Sequence, residues 1–136
     1  MPFEYKTRVR LHQTDAAGIL FHSKIFELAF DAYAEFLHAH GVSVSAIIHT
    51  ADYTMPYIHA EADYLAPLTV DDPVTIVMRV EKIGATSFTL TYDLSADGRL
   101  VGRVKTAHVT VSKETGQKIP LPDAIRRSLE SALALP

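Results

Sequence analysis

The sequence contains no cysteine, which excludes disulfide bridges, a thiol nucleophile and thiolate ligation of a metal. It also has no apolar run near the about 18 residues that a membrane-spanning helix requires. The first ten residues, MPFEYKTRVR, lack the apolar segment of a secretory signal peptide. We therefore expect a cytoplasmic protein that does not insert into a membrane.

Neither sign of charge dominates the chain. Thirteen lysine and arginine residues stand against 16 acidic residues, which gives a formal net charge of −3. This balance lacks the surplus of positive charge that nucleic-acid binding requires, so no nucleic-acid partner is expected. Because the chain has 136 residues and 48% of them are hydrophobic, we expect one domain over residues 1–136 with a single core.

The sequence also lacks the motifs of several catalytic classes. There is no G-x-S-x-G stretch of the serine hydrolases and no H-E-x-x-H zinc motif. The seven histidines include no pair four residues apart on a helix, and no glycine-rich phosphate loop is present. We therefore expect no metal and no cofactor, and a bound nucleotide group would lie on the surface.

Two periodicities divide the chain into strands and helices. Alternating side chains predict strands over Phe3–Leu11, Tyr57–Pro67, Val74–Ile83, Ser87–Ser95 and Leu100–Val111. A surface that is apolar except for one polar stripe predicts a helix from Lys24 to His40. Ser23 is the expected N-cap of this helix, and Gly41 is its expected C-terminal stop.

The remaining segments complete the expected architecture. Val42–Asp52 is expected to be a short, partly helical linker, and Pro120–Ala134 a terminal amphipathic helix with Pro122 in its first turn. Asp97–Gly98 indicates a hairpin turn, and a change of phase in the last strand predicts a bulge near Lys105. The order of elements predicts an α+β fold in which an antiparallel sheet curls around a central helix.

The stretch QTDAAGILFH leads directly into the predicted long helix. Asp15 has two interpretations at this point: a loop residue that forms an Asx-turn, or a catalytic carboxylate beside the helix start. The N-terminus of a helix offers unpaired backbone N–H groups that can polarise a carbonyl oxygen. A base and such donors together suit an activated thioester. His22, His59 and Lys82 each have a plain surface interpretation beside a functional one.

The stretch RVRLHQTDAAGILFHSKIF resembles the N-terminal signature of the hotdog-fold thioesterases of the 4-hydroxybenzoyl-CoA thioesterase type. ADYLAPLTVDD and KIGATSF are similar to the later strand and hairpin of that family. The stretch ADYTMPYIHAEADYLAP looks most like the branch that hydrolyses 1,4-dihydroxy-2-naphthoyl-CoA. The resemblance implies a hotdog fold, a five-stranded antiparallel sheet around one long helix, and an acyl-CoA substrate, expected to carry an aromatic acyl group.

The resemblance also implies roles for individual residues. Asp15 falls on the catalytic carboxylate, as nucleophile or general base, and His22 on the position whose backbone N–H polarises the thioester carbonyl. Because Gly18 has no side chain, the loop there would leave space for the substrate to approach. Tyr57 and His59 would border the acyl pocket across a subunit interface.

Two further implications concern the CoA moiety and the assembly. Lys82 and Ser87 fall in the region that meets the CoA nucleotide in the family. Lys24 stands where the family often has asparagine, which is a departure from the pattern. An exposed, alternating sheet edge favours pairing with a second copy, so a homodimer or homotetramer is expected.

Two rival functions remain open from the sequence. A hotdog dehydratase acting on 3-hydroxyacyl thioesters would use a histidine with an acidic partner, and His59 is the candidate. A non-catalytic acyl-CoA-binding protein would bind the ester without releasing a thiol.

Overall fold

The computed structural model describes residues 1–133. Its strands are β1 Phe3–Arg8, β2 Tyr53–Thr54, β3 Tyr57–Tyr64, β4 Pro73–Ile83, β5 Ser87–Ala96, β6 Arg99–Val109 and β7 Val111–Ser112. Five of these form one antiparallel sheet in the order β1-β4-β5-β6-β3, and β2 pairs with β7 beside it. The helices are α1 Lys24–Ala39, α2 Val44–His49 and α3 Asp123–Ser131. The predicted α+β architecture, a five-stranded antiparallel sheet with a long helix on one face, is confirmed.

Helix α1 is the element that the sheet encloses. Its buried residues are Ile25, Leu28, Ala29, Ala32, Tyr33, Phe36 and Leu37. They pack on the inner face of the sheet because that face presents alternate apolar side chains of β4 and β5, namely Val74, Ile76, Met78, Val80, Phe88, Leu90, Tyr92 and Leu94. Phe30 lies outside this contact and is 54% exposed, so one apolar side of the helix faces outward from the protomer.

The ends of α1 follow the sequence signals, with one difference. Gly41 stands just past the helix with φ +71°, the left-handed conformation that glycine adopts without strain. Ser23 occupies the N-cap position as expected, but its side chain caps no N–H group.

Strand β1 is shorter than the sequence predicts. It ends at Arg8, and Leu11 lies in a single 3-10 turn with 76% of its surface exposed. The prediction of a strand through Leu11 is wrong because the backbone N–H of Arg10 donates to the Gln13 side-chain oxygen at 2.9 Å, which turns the chain.

The predicted bulge near Lys105 is also wrong. In β6 the inner face keeps its phase through Val104, Thr106 and His108, all of them buried. The interior therefore contains polar residues where the apolar pattern breaks, and Thr106 Oγ1 and His108 Nε2 satisfy each other at 2.9 Å. The register irregularity of the β5–β6 pair lies instead between Leu94 and Ser95.

The hairpin turn agrees with the sequence, and the terminal helix is present but shorter than predicted. Asp97 and Gly98 have φ values of 52° and 75°, as a two-residue primed turn requires. Pro122 stands at the N-cap of α3, which packs against the β4–β5 turn through a hydrogen bond from Arg126 to the Gly84 carbonyl at 2.8 Å. The predicted bounds Pro120–Ala134 are too wide, because the helix begins at Asp123 after two prolines and ends at Ser131; Ala134 itself lies outside the described residues.

Strand β3 forms one edge of the sheet. Seven of its eight residues are exposed, whereas β4 and β5 alternate between buried and accessible positions. The apolar residues on and beside this edge include Ile58, Tyr64 and Leu65, each more than half exposed. Among residues 1–133, no helix is long and apolar enough to cross a membrane.

Candidate active site

The segment before α1 folds into a narrow hairpin. The Asp15 N–H donates to the Ile19 carbonyl at 2.9 Å, and the Phe21 N–H donates to the Gln13 carbonyl at 2.9 Å. A hydrogen bond to a residue outside the hairpin holds its second arm: the Leu20 N–H donates to the Leu68 carbonyl at 2.7 Å. The hairpin is therefore fixed to the protein body immediately before the helix begins.

Asp15 lies near the tip of this hairpin with an exposed side chain. Its Oδ1 accepts hydrogen bonds from the backbone N–H of Ala17 at 2.8 Å and of Ile19 at 3.3 Å. Gly18 follows with φ +78°, so the tight turn uses the one residue type that adopts this conformation freely. Within residues 1–133, no donor lies within hydrogen-bonding distance of Oδ2. The carboxylate thus forms the Asx-turn with one oxygen and presents the other to solvent.

The start of α1, directly after this hairpin, supplies unpaired N–H groups. The Lys24 N–H is satisfied by the Phe21 carbonyl at 2.8 Å. The N–H groups of His22, Ser23 and Ile25 have no acceptor among the described residues. They lie at the positive end of a 16-residue helix, where a developing negative charge is stabilised. One hairpin carries both groups: Asp15 lies near its tip, and His22 directly follows Phe21, whose N–H closes the hairpin on the Gln13 carbonyl.

A cleft of about 370 Å³ opens at the same place. Its lining is mostly apolar and consists of Ile19, Leu20, His22, Tyr64, Leu65, Ala66, Pro67 and Leu68. The Tyr64 hydroxyl donates to the His22 carbonyl, so the edge strand β3 is tied directly to the helix start. The cleft can therefore receive an apolar group at the helix start; it is called the Asp15 cleft below because Ile19 and Leu20 of the Asp15 hairpin line it, although Asp15 itself does not.

Tyr57 and His59 lie on opposite faces of β3. Tyr57 pairs with buried His108 and contacts its ring at 4.2 Å between centroids, so it faces α1. His59 pairs with Ala107 on the other face, because the register shifts between Tyr57 and His59. The alternation expected from the sequence, which put both side chains on one face, is wrong at Tyr57. His59 Nε2 contacts Glu61 Oε1 at 2.9 Å on the outer face.

Tyr57 borders a second, apolar cavity of about 230 Å³ between α1 and α2. Its lining is Phe30, Tyr33, Ala34, Leu37, Val44, Ile47, Ile48, Thr54, Met55 and Tyr57. The Phe30 and Tyr57 rings stack at its mouth with centroids 5.9 Å apart. Burial raises the pKa of the Tyr57 hydroxyl to about 12, so this phenol is neutral at neutral pH.

Lys82 and Ser87 lie at the opposite end of the sheet from Asp15. The hairpin lies near the beginning of β4, since Val70 N–H donates to the Gly18 carbonyl at 3.0 Å. Lys82 comes near the end of β4, roughly 30 Å further along the strand. One protomer therefore does not bring Lys82 and Ser87 to the Asp15 cleft.

Three polar residues of this region were not predicted from the sequence: Gln13, Glu27 and Tyr64. Gln13 Nε2 donates to Glu27 Oε1 at 2.9 Å, and these residues are 14 positions apart in the sequence. The Tyr64 hydroxyl donates to the His22 carbonyl, and these residues are 42 positions apart. Local patterns carry no signal for contacts of this separation. Lys24, the departure from the family pattern, binds Glu27 at 3.2 Å. Among residues 1–133, no group of three or more His, Asp or Glu side chains could hold a metal ion.

Comparison of the sequence with known proteins identifies thioesterases as relatives. A family model described as the thioesterase-like superfamily matches residues 9–129. A 1,4-dihydroxy-2-naphthoyl-CoA hydrolase from Nostoc punctiforme is 31% identical over 131 residues, which cover 96% of this chain and 88% of that protein.

Solved structures give the same result. A 1,4-dihydroxy-2-naphthoyl-CoA thioesterase from Synechocystis superposes with a TM-score of 0.90 at 27% identity, covering 95% of this chain and 96% of that one. A gentisyl-coenzyme A thioesterase superposes with a TM-score of 0.82 at 26% identity, covering 93% and 98%. The chain therefore belongs to the thioesterase-like superfamily, the thioester hydrolases of the hotdog fold.

Proposed function

We propose that this protein hydrolyses aromatic acyl-CoA thioesters at the Asp15 cleft, with 1,4-dihydroxy-2-naphthoyl-CoA as the leading substrate. The observation that carries the proposal is the free Oδ2 of Asp15 on the hairpin that leads directly into the unpaired N–H groups at the start of α1. A carboxylate and preorganised N–H donors are the two groups that thioester hydrolysis needs.

In the proposed reaction the thioester carbonyl oxygen accepts a hydrogen bond from the His22 N–H. Asp15 then acts in one of two ways. It attacks the carbonyl carbon, breaking the carbon–sulfur bond to release CoA thiol and an acyl-Asp15 anhydride that water hydrolyses. Alternatively, it takes a proton from water as that water attacks, and the same bond breaks. A helix-end donor contributes about 10²–10³ in rate and a general base about 10²–10⁴, which suits an activated thioester.

The preference for an aromatic acyl group rests on the apolar lining near Tyr57 and on the relatives. Phe30 and Tyr57 present stacked aromatic surface at an apolar cavity, and flat rings favour offset or edge contacts with such surface. The relatives named above act on naphthoyl and gentisyl thioesters, both of them aromatic. Gly18 would leave space for the thioester at the hairpin tip.

The proposed active unit is a homodimer, with a homotetramer as its extension. Strand β3 is an exposed edge next to exposed Phe30, and antiparallel pairing with a second copy would cover both. In that arrangement Tyr57, which faces α1, would border the acyl pocket of the neighbouring protomer, and His59 would lie at the same edge but on the outer face of the sheet. Lys82 and Ser87 would meet the CoA nucleotide of a substrate held by another copy, because they are distant from Asp15 in their own.

A thiol-release assay across benzoyl-, naphthoyl- and fatty-acyl-CoA esters tests the function. We expect rapid release of CoA thiol from the aromatic esters and at least about tenfold lower kcat/KM for straight-chain ones. Turnover of straight-chain esters alone would refute the aromatic preference. A 3-hydroxyacyl-CoA added to the panel tests the dehydratase, which an enoyl product without free thiol would establish. Tight binding of the esters without turnover would establish a non-catalytic binding protein.

A further inference from the structure

The residue two positions before Asp15 is a buried polar side chain. Gln13 is only 2% exposed, and both ends of its amide are engaged. Its Oε1 accepts from the Arg10 N–H at 2.9 Å, and its Nε2 donates to Glu27 Oε1 at 2.9 Å. The Gln13 carbonyl also accepts the Phe21 N–H that closes the hairpin. Gln13 is therefore held in a single orientation at the base of the Asp15 hairpin.

Glu27 lies in the first turn of α1 and receives several donors. Besides Gln13, its carboxylate contacts Lys24 Nζ at 3.2 Å and His12 Nε2 at 3.3 Å. The Gln13 amide is the largest influence that lowers the pKa of the Glu27 carboxyl; burial opposes it, and Lys24 and His12 lower it further. A negative charge is also favourable in the first turn of a helix. Glu27 is thus a charged acceptor anchored to the helix that offers the free N–H groups.

The hydrogen bond from Gln13 to Glu27, the Gln13–Glu27 clamp, joins the two parts of the proposed site. One end is the hairpin that carries Asp15, and the other is the helix turn that follows His22 and Ser23. The second bridge, from His12, is exposed and carries little energy in water. Lys24 binds Glu27 from the same helix and connects nothing to the hairpin.

We propose that Gln13 and Glu27 are positioning residues for hydrolysis, which set the Asp15 carboxylate relative to the N–H donors at the start of α1. The inference rests on the proposed function of Asp15. A displacement of about 1 Å between reacting groups can lower the rate by about 10²-fold. Neither residue contacts the reacting atoms, so the clamp acts on kcat through Asp15 and leaves substrate affinity largely intact.

Thiol-release kinetics of a set of variants test the clamp, with urea unfolding of each to confirm that it is folded. Gln13→Met keeps the volume and removes both amide bonds, and we expect a fall in kcat of about 10–100-fold with KM changed by less than about threefold. Glu27→Leu should give a similar loss, whereas Glu27→Gln keeps an oxygen acceptor and should restore kcat to within about threefold of the parent. The matched control is Lys24→Met, which removes the other strong partner of Glu27 and should leave kcat within about twofold.

The double variant Gln13→Met/Glu27→Leu should have the kcat of the slower single variant, since both substitutions remove the same bond. A Gln13→Met protein with kcat within about twofold of the parent would overturn the proposal, as would losses that multiply in the double variant.

Amide hydrogen exchange gives a second readout that needs no activity. The N–H groups of Ala17 and Ile19 donate to Asp15 Oδ1, and we expect faster exchange at both in Gln13→Met. Unchanged exchange at both would overturn the clamp. If the parent protein releases no thiol, the proposed function fails, and the exchange result still decides whether the clamp holds the hairpin.

Discussion

His108 shows how a single buried residue couples this fold to pH. It is fully buried on β6, with its ring stacked on Phe88 at 4.7 Å and against Tyr57 at 4.2 Å. Thr106 Oγ1 contacts Nε2, while Nδ1 has no partner among the described residues. Burial lowers the pKa of His108 from 6.5 to about 4. The folded protein therefore holds this ring neutral at neutral pH.

The sign of the resulting pH dependence follows from linkage. The unfolded chain takes up a proton at His108 near pH 6.5, whereas the folded chain does so only near pH 4. The contribution of His108 to stability is complete above pH 6.5 and is lost as the pH falls toward 4, by up to about 1.4 kcal/mol per pH unit. His108→Phe removes this titration and keeps an aromatic ring among aromatic neighbours.

We expect the free energy of unfolding of His108→Phe to fall less than that of the parent between about pH 7.5 and about pH 5. Urea unfolding at the two pH values measures this difference directly. Equal losses in both proteins would show that His108 is not held neutral by the fold.

At the scale of elements, the edge strand β3 is the feature that the protomer leaves uncovered. Its unpaired backbone edge lies beside exposed Phe30, Ile58 and Tyr64. Edges of this kind pair with another chain unless charge or proline blocks them. The Tyr64 hydroxyl also links this strand to the helix start by donating to the His22 carbonyl. Pairing at β3 would therefore stabilise the position of the helix start in the proposed site.

An aspartate at Ile58 should separate the proposed dimer. Ile58→Asp places a charge on the paired edge, where it would be desolvated without a partner. We expect the mass measured by light scattering after size exclusion to fall to that of one chain, with thiol release reduced at least about tenfold. Leu11→Asp is the matched control, because Leu11 is 76% exposed and lies after the other edge strand. A parent protein that is monomeric at assay concentrations would contradict the dimer.

The elements that the sequence predicted well are those in which one periodicity continues unbroken. Helix α1 keeps its helical spacing, β5 alternates along its length and β4 alternates as far as Val80, where its register shifts, so their inner faces could be predicted residue by residue. The prediction failed at Lys105, because polar Thr106 and His108 occupy interior positions that a hydrophobicity pattern assigns to solvent. It failed at Leu11, because one hydrogen bond from the Arg10 N–H to the Gln13 side-chain oxygen ends the strand early.

The candidate site divides in the same way. The Asp15 hairpin and the helix start could be predicted because they lie within ten residues of each other. The opposite orientations of Tyr57 and His59 could not, since a one-residue bulge reverses the faces of a strand. The Gln13–Glu27 clamp depends on tertiary contact, as does the link from Tyr64.

At the scale of the whole molecule, the proposed groups are distributed over both ends of the sheet. Asp15 and His22 lie beside the first residues of β4, and Lys82 and Ser87 lie roughly 30 Å away near its far end. Under the proposed function, a single protomer would present the hydrolytic end of the site, and the residues proposed to meet CoA would have to come from another copy. The proposed catalysis would therefore depend on the assembly of two or more copies.

The most direct test of the central claim is thiol release by Asp15→Asn. The asparagine side-chain oxygen can still accept the N–H groups of Ala17 and Ile19, so the Asx-turn is kept while the free carboxylate oxygen is lost. Asp97→Asn, at the exposed β5–β6 turn, is the control for an equal loss of charge. We expect at least about 10³-fold slower thiol release by Asp15→Asn at unchanged stability, with Asp97→Asn like the parent. Hydrolysis by Asp15→Asn within about tenfold of the parent would show that Asp15 forms the Asx-turn and has no catalytic role.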